Sequence, residues 1–327
     1  MVAFGGWEMP LSYPSGTLAE HRACREDAVA FDISHLGTVR VQGPGARDAL
    51  QSAFTNDLGR ITPGRAQYTH LLDPDDASVV DDLIVWWVSD DRFDVMPNAS
   101  NTDRVLQALA GPGGAVGPVV EDVTGGRAVI AVQGPTARSR LAAVSPEAAS
   151  VPRFGVVPFP WNGGACLAAG TGYTGEDGVE CAVPADMAVD FWQAVLATGV
   201  APAGLGARDT LRLESGLPLH GHELGPGITP LQAGLGWVVS WTKGDFRGRE
   251  PLSAERRRGP SRRLRGIVVE GRQPPRQGNA VAVDGTEVGE VTSGNYSPLL
   301  GCGIALAFLP PGVEPGRAVE VVLRRGA

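Results

Sequence analysis

The ten residues 79–88, VVDDLIVWWV, constrain this chain most, because they drive two adjacent acids into one of its most apolar runs. In a strand, side chains alternate, so Asp82, Ile84, Trp86 and Val88 share one face while Asp81, Leu83, Val85 and Trp87 share the other. Both faces are apolar. Such a strand is expected inside a sheet covered on both sides, with at least one carboxylate at the mouth of a dry interior. A charge there is costly unless something satisfies or uses it. The competing explanation is local, two acids simply beginning a strand in water, and the rest of the sequence must decide between them.

The remaining pattern is of short strands: TVRVQG (38–43), RAVIAVQGP (127–135), GVECAV (178–183), LRGIVVEG (264–271) and AVEVVLRR (318–325). Helices fall between them. PADMAVDFWQAVLATG places Met187, Phe191, Trp192, Val195 and Leu196 at helical spacing and stops at Gly199. ASNTDRVLQALAG offers Ser100 or Asn101 as a polar cap, apolar Val105, Leu106 and Leu109, and Gly111 as terminator. Segregated strands and helices of this kind read as α+β, and 45 glycines with 26 prolines imply many tight turns. Charge, Gly259 and Pro260 interrupt the patterning over 249–263, which reads as a linker. Beyond it, phrases such as VDGTEVGEVTSG suggest a small antiparallel barrel over 260–327, leaving 1–250 as the main region.

With 327 residues, 43% hydrophobic and 20% charged, the chain is long enough for two or three well-covered cores. A net charge of −8 argues against nucleic acid or an anionic membrane as partner. The one basic run, ERRRGPSRRLR (255–265), reads as a solvated linker, with an acidic partner surface as the sharper alternative. Cys24, Cys166, Cys181 and Cys302 lack metal or disulfide spacing. The N-terminus has no basic segment leading into an apolar one, and no run approaches membrane-spanning length, so a soluble cytoplasmic protein is expected.

Several side chains invite chemistry. HGHE (220–223) imitates a metal site, but three or four convergent ligands are needed and no matching cluster occurs, so a polar turn without metal is expected. His35 in DISHLG is read as a hydrogen-bonded structural histidine rather than a base. No phosphate-cradling or dinucleotide glycine motif appears. In GYTGEDGVE, if Val179, Cys181 and Val183 meet a core, Glu180 points the other way; there it can accept paired N–H donors beside the flat ring of Tyr173. GLGARDTLRLESG (204–216) reads as a helix in which Asp209 pairs with Arg212, while Arg208 has no acid at helical spacing and must find water or a distant anion.

Taken in order, FGGWEMPLSY, EHRACR, FDISHLG, VVDDLIV, PNASN, QGP, GYTGEDGVE, PAGLGARDTLRLESGLPLHG, TPLQAGLGWVV and VTSGNYSPLL resemble the glycine-cleavage T-protein (aminomethyltransferase) family over nearly the whole chain. The resemblance implies an α+β fold of three domains around a central hole, the first two interleaved within 1–250 and the last a small barrel. It implies a reaction in which the aminomethyl group on the lipoyl arm of the H protein is split, giving ammonia and methylenetetrahydrofolate. By motif position, Asp82 becomes the catalytic carboxylate, and Tyr68, Asn98, Tyr173, Glu180 and Arg208 belong to the tetrahydrofolate pocket. A carboxylate poised near reacting nitrogens suits that proton traffic. The stretch DPDDASVVDD holds one residue more than the family's usual version with paired glycines, so the turn before Asp82 departs from the pattern. Alternatives on the same fold are a folate-dependent demethylase and a non-enzymatic folate-binding factor. The latter carries a cysteine where this chain reads LESGLPLHG.

Overall fold

The computed structural model describes residues 1–110 and 117–322. Three large sheets organise the chain, beside a two-stranded ribbon of Val2–Phe4 and Trp7–Met9. A six-stranded sheet runs in the order 156–161, 164–169, 178–184, 127–133, 29–32, 201–202, antiparallel except for its last pair. Between residues 32 and 127 the chain leaves it to build a five-stranded antiparallel sheet, ordered 65–72, 79–89, 92–96, 39–42, 119–122. The strands 263–269, 302–309, 286–297, 280–283 and 320–322 form the third, curled around Val281, Val291 and Ala307 as the C-terminal barrel.

Val79–Ser89 is second in its sheet, with neighbours on both sides. Its two apolar faces enter different cores. Leu83, Val85 and Trp87 pack against the helices Ala46–Ala53 and Thr102–Leu109, whereas Ile84 and Trp86 pack against Phe31, Ala131 and Ala169 of the six-stranded sheet. The alternation expected from the sequence is therefore the means by which the two large sheets are joined. Apolar side chains buried this completely contribute about 1.5–3 kcal/mol each, so the face assignment is strongly held. In the turn preceding this strand, Ala77 adopts a φ of 61°, a left-handed geometry that a glycine would take without strain.

Two helices matter for the site. Leu205–Glu214 packs Ala207 and Leu211 into the core between the sheets, and Asp209 pairs with Arg212 at 2.8 Å as its spacing predicts. Thr102–Leu109 begins at Asn101, but the asparagine side chain makes no capping bond; it is turned to donate its NH2 to Asp81. Gly111, the expected terminator, lies outside the described residues, as do positions 323–325 of the last expected strand.

The expected linker at 249–263 is mostly a helix, Arg249–Arg258. Leu252 and Glu255 are buried on one face, Glu255 accepting from Gln232 at 3.1 Å, while Arg256 lies 4.4 Å over the Trp241 ring. Arg262 covers Phe308 at 4.6 Å, while Arg256, Arg257, Arg258 and Arg263 are exposed, so the basic run is largely solvated as expected, with two of its arginines also laid over aromatic rings. Charge-rich composition hid one apolar stripe. No described helix is long and apolar enough to cross a membrane.

Candidate active site

All three sheets and the helix Leu205–Glu214 border one cavity of about 1470 Å³. Asp82 and Ile84 reach it from the five-stranded sheet, Glu180 from the six-stranded sheet, Arg208 from the helix, and Thr292 and Asn295 from the barrel.

Strand register assembles the Asp82 end. Ile84 pairs with Tyr68 on one side and with Met96 on the other, so Tyr68 lies diagonally beside Asp82 and Asn98 follows the partner strand directly opposite it. Tyr68 donates its hydroxyl to Asp82 at 3.0 Å, and the Asn98 amide donates to Asp82 at 3.0 Å. That amide also donates to Asp81 at 2.7 Å. Asp81, on the opposite face, is fully buried and takes two further bonds, from the Asn98 backbone and the Asn101 amide, both at 3.0 Å. Burial raises the titration of both carboxyls, and the neighbouring Asp82 charge pushes Asp81 up further. The pair therefore retains a proton to higher pH than a solvated carboxyl.

Small neighbours make room for Glu180. Its strand partners are Ala131 and Ala169, while Val179, Cys181 and Val183 enter the core behind the sheet, as the alternation predicts. Glu180 is 8% exposed and accepts one hydrogen bond, from Thr171 at 2.5 Å. Burial lifts its titration, opposed by Thr171 and by the charges of Arg208 and Arg127. Arg208 stands 4.9 Å over the Tyr173 ring and has no ion pair among the described residues. Tyr173 is fixed at its far end by a hydroxyl bond to the Pro218 carbonyl.

All six residues singled out in the sequence, Tyr68, Asp82, Asn98, Tyr173, Glu180 and Arg208, thus line the same cavity. Three histidines line it as well. His35 is 3% exposed, lies edge-on to Phe4, and its Nδ1 has no partner, contrary to the expected hydrogen-bonded role. Burial and the Arg208 charge pull its titration down to about 4, so it stays a neutral ring. HGHE forms a turn, as expected: Glu223 is buried against Arg212 at 3.0 Å, and His222 donates from Nδ1 to the Thr292 carbonyl at 2.9 Å. No cluster of three or more metal-ligating side chains occurs among the described residues. The sequence reading gave His35 and His220 only structural roles because their neighbours in the cavity come from distant segments.

The family model described as the GCVT N-terminal domain matches residues 1–243, and that of the glycine cleavage T-protein C-terminal barrel domain matches 262–327. The chain belongs to the glycine cleavage T-protein family. It is 47% identical to an aminomethyltransferase of Frankia alni over 99% of this chain and 90% of that one. An aminomethyltransferase of Mycobacterium tuberculosis is 46% identical, over 98% and 88%. The crystal structure of glycine cleavage system aminomethyltransferase T from Bartonella henselae superposes with a TM-score of 0.92 at 34% identity, covering 99% of this chain and 90% of that one. This T-protein family member is accordingly an aminomethyltransferase of the glycine cleavage system.

Proposed function

We propose that the aminomethyl group arrives on the lipoyl arm of the glycine-cleavage H protein and is passed to tetrahydrofolate, with release of ammonia and the dihydrolipoyl carrier. The observation that carries this reading is the convergence of two carboxylates, Asp82 and Glu180, and one guanidinium, Arg208, on a single cavity of about 1470 Å³. Ordinary small-molecule sites occupy roughly 300–1,000 Å³, so there is space for both an extended acceptor and the end of a carrier arm.

The residues present suit a pterin. Glu180 accepts only the Thr171 hydroxyl, which leaves acceptor capacity for a planar pair of N–H donors. Arg208 brings positive charge without a carboxylate bonded to it among the described residues, and Tyr173 offers a flat ring beside it. Tetrahydrofolate, when bound, supplies the two nitrogens that take up the one-carbon unit. Asp82 is the proton-handling carboxylate: Tyr68 and Asn98 fix its direction, and burial poises it to hold and release a proton closer to neutrality. The four cysteines are all free, which suits a reducing cytoplasm.

The test is to incubate the protein with tetrahydrofolate and aminomethylated lipoyl carrier and to assay ammonia and methylenetetrahydrofolate. Absence of product from folded protein that still binds tetrahydrofolate overturns the reading.

A further inference from the structure

Aminomethyl transfer moves two protons. Two N–H bonds of the acceptor break as two N–C bonds form, and the donor's C–N and C–S bonds break with their electron pairs left on nitrogen and sulfur. Each of those atoms then needs one proton. A single carboxylate would have to serve both transfers in turn.

A histidine faces the Asp82 end of the cavity. His220 lines it, half-buried, with Nε2 at 3.1 Å from the backbone carbonyl of Val80, two residues before Asp82. A carbonyl only accepts, so Nε2 carries the hydrogen and Nδ1 is the basic nitrogen. The Asn101 amide nitrogen lies 3.2 Å from Nε2 and 3.4 Å from Nδ1, the latter being the one polar contact of Nδ1 among the described residues, and that amide is already committed to Asp81 at 3.0 Å. Nδ1 is therefore weakly engaged. The charge of His220 is felt at Asp82, where it favours the carboxylate, yet no hydrogen bond or ion pair joins the two among the described residues. They stand near each other and apart, as two groups serving different atoms must. The other titratable groups at this end are Asp81 behind the strand, Tyr68 beside it, Tyr173 across the cavity, and His70, paired with Asp82 in register and held neutral by burial, which pulls its titration down to about 3. The other two cavity histidines are differently placed: His222 is tied to the barrel, and His35 is held neutral by burial.

We propose that His220 is the second proton-transfer group of this aminomethyltransferase. Asp82 relays one proton from the acceptor to the sulfur, and His220 relays the other to the departing nitrogen, so both groups end the turnover as they began. Imidazole suits the task because it gains and loses a proton near neutrality. The proposal rests on the folate-acceptor reading above, and its test separates the two.

His220→Gln keeps a donor for the Val80 carbonyl but removes the titrating nitrogen. Turnover should fall about 100-fold or more while tetrahydrofolate affinity, measured by titration, stays within about threefold. Added imidazole should restore part of the turnover of His220→Ala and none of that of Asp82→Asn. Near-normal turnover of His220→Gln, or a loss that imidazole does not relieve in folded His220→Ala, overturns the proposal. Wild-type protein that fails to bind tetrahydrofolate overturns the folate reading and this proposal with it.

Discussion

At one end of the cavity Asp82 sits beside a second acid, with an amide, a phenol and an imidazole around it; at the other, Glu180 has one hydroxyl bond and a guanidinium nearby. Burial raises the titration of both carboxyls, but what opposes that rise differs. Around Asp82 it is met by the charge of His220 and by neutral hydrogen-bond donors. Around Glu180 it is met by arginines, whose charge is permanent. The first arrangement leaves the carboxyl able to exchange a proton; the second sets permanent positive charge beside the carboxyl, which favours its ionised form. In our reading, the first end performs the proton transfers and the second holds the acceptor.

The largest expected effect tests the first half of that contrast. Asp82→Asn keeps the size of the side chain but removes its capacity to take a proton, and turnover should drop by about 100-fold or more, as for a lost acid–base group. Folding and tetrahydrofolate binding should be retained, because the side chain is partly exposed to the cavity and an amide can still bond both neighbours, its oxygen accepting from Asn98 and its NH2 donating to the Tyr68 hydroxyl oxygen. Single-turnover rates and thermal melts measure both quantities. A variant that turns over normally would reduce the two acids to a polar start of a strand.

Glu180→Gln should leave the chemical step and weaken binding. An amide offers one acceptor oxygen where the carboxylate offered two, and charge-assisted hydrogen bonds lost in this way cost about 1.5–3 kcal/mol of affinity. Calorimetric titration with tetrahydrofolate reads this directly. Unchanged affinity would remove Glu180 from the acceptor site, and a turnover loss at saturating acceptor would blur the division between the two ends.

How much of this was legible beforehand follows from which forces are local. Alternation along 79–88 put Asp82 and Asp81 on opposite faces, because a two-residue period needs no knowledge of distant partners, while the choice of Asp82 as the one facing the cavity came from the family resemblance. The same held for Glu180 against Val179, Cys181 and Val183. What escaped was decided by tertiary competition. Asn101 looks like a helix cap, yet its side chain is turned to donate its NH2 to a buried carboxylate, and its oxygen does not reach the helix N–H groups. Arg249–Arg258 looks like a linker because its arginines dominate the composition, while two residues, Leu252 and Glu255, settle its fate. His220 looked like part of a polar turn, and it is one; only the fold places that turn above Val80.

Asp81 carries the next prediction. Asp81→Asn should spare turnover compared with Asp82→Asn, since Asp81 is buried away from the cavity, but should cost about 1–3 kcal/mol of stability because an amide cannot accept from all three of its donors. The sign with pH follows from the raised titration of the pair. Above pH 4 the folded pair keeps a proton that the unfolded chain has released, so wild-type stability falls as pH rises toward the pair's own titration. Removing one acid of the pair should flatten that slope. Denaturant midpoints between pH 4 and 8 would show it, and an unchanged slope would mean that the two carboxyls do not share a proton.

The smallest effect is expected at Arg208, whose contribution acts through space rather than through a hydrogen bond to an acid among the described residues. Arg208→Met keeps much of the apolar stem against Tyr173 and removes the charge; tetrahydrofolate affinity should weaken by roughly three- to tenfold, as partly screened charges do. A second consequence separates charge from packing. The Arg208 guanidinium holds the Glu180 titration down against burial, so without it Glu180 takes up a proton at higher pH. The variant's affinity should therefore rise more steeply than the wild type's as pH is raised from 6 to 8, because the carboxylate form is the one that accepts two donors. Arg208→Lys, which restores the charge, should return the shallow wild-type dependence. If Met and Lys behave alike, Arg208 serves only as a cover for the Tyr173 ring, and the fixed charge assigned to this end of the cavity must come from Arg127, the other arginine whose charge reaches Glu180.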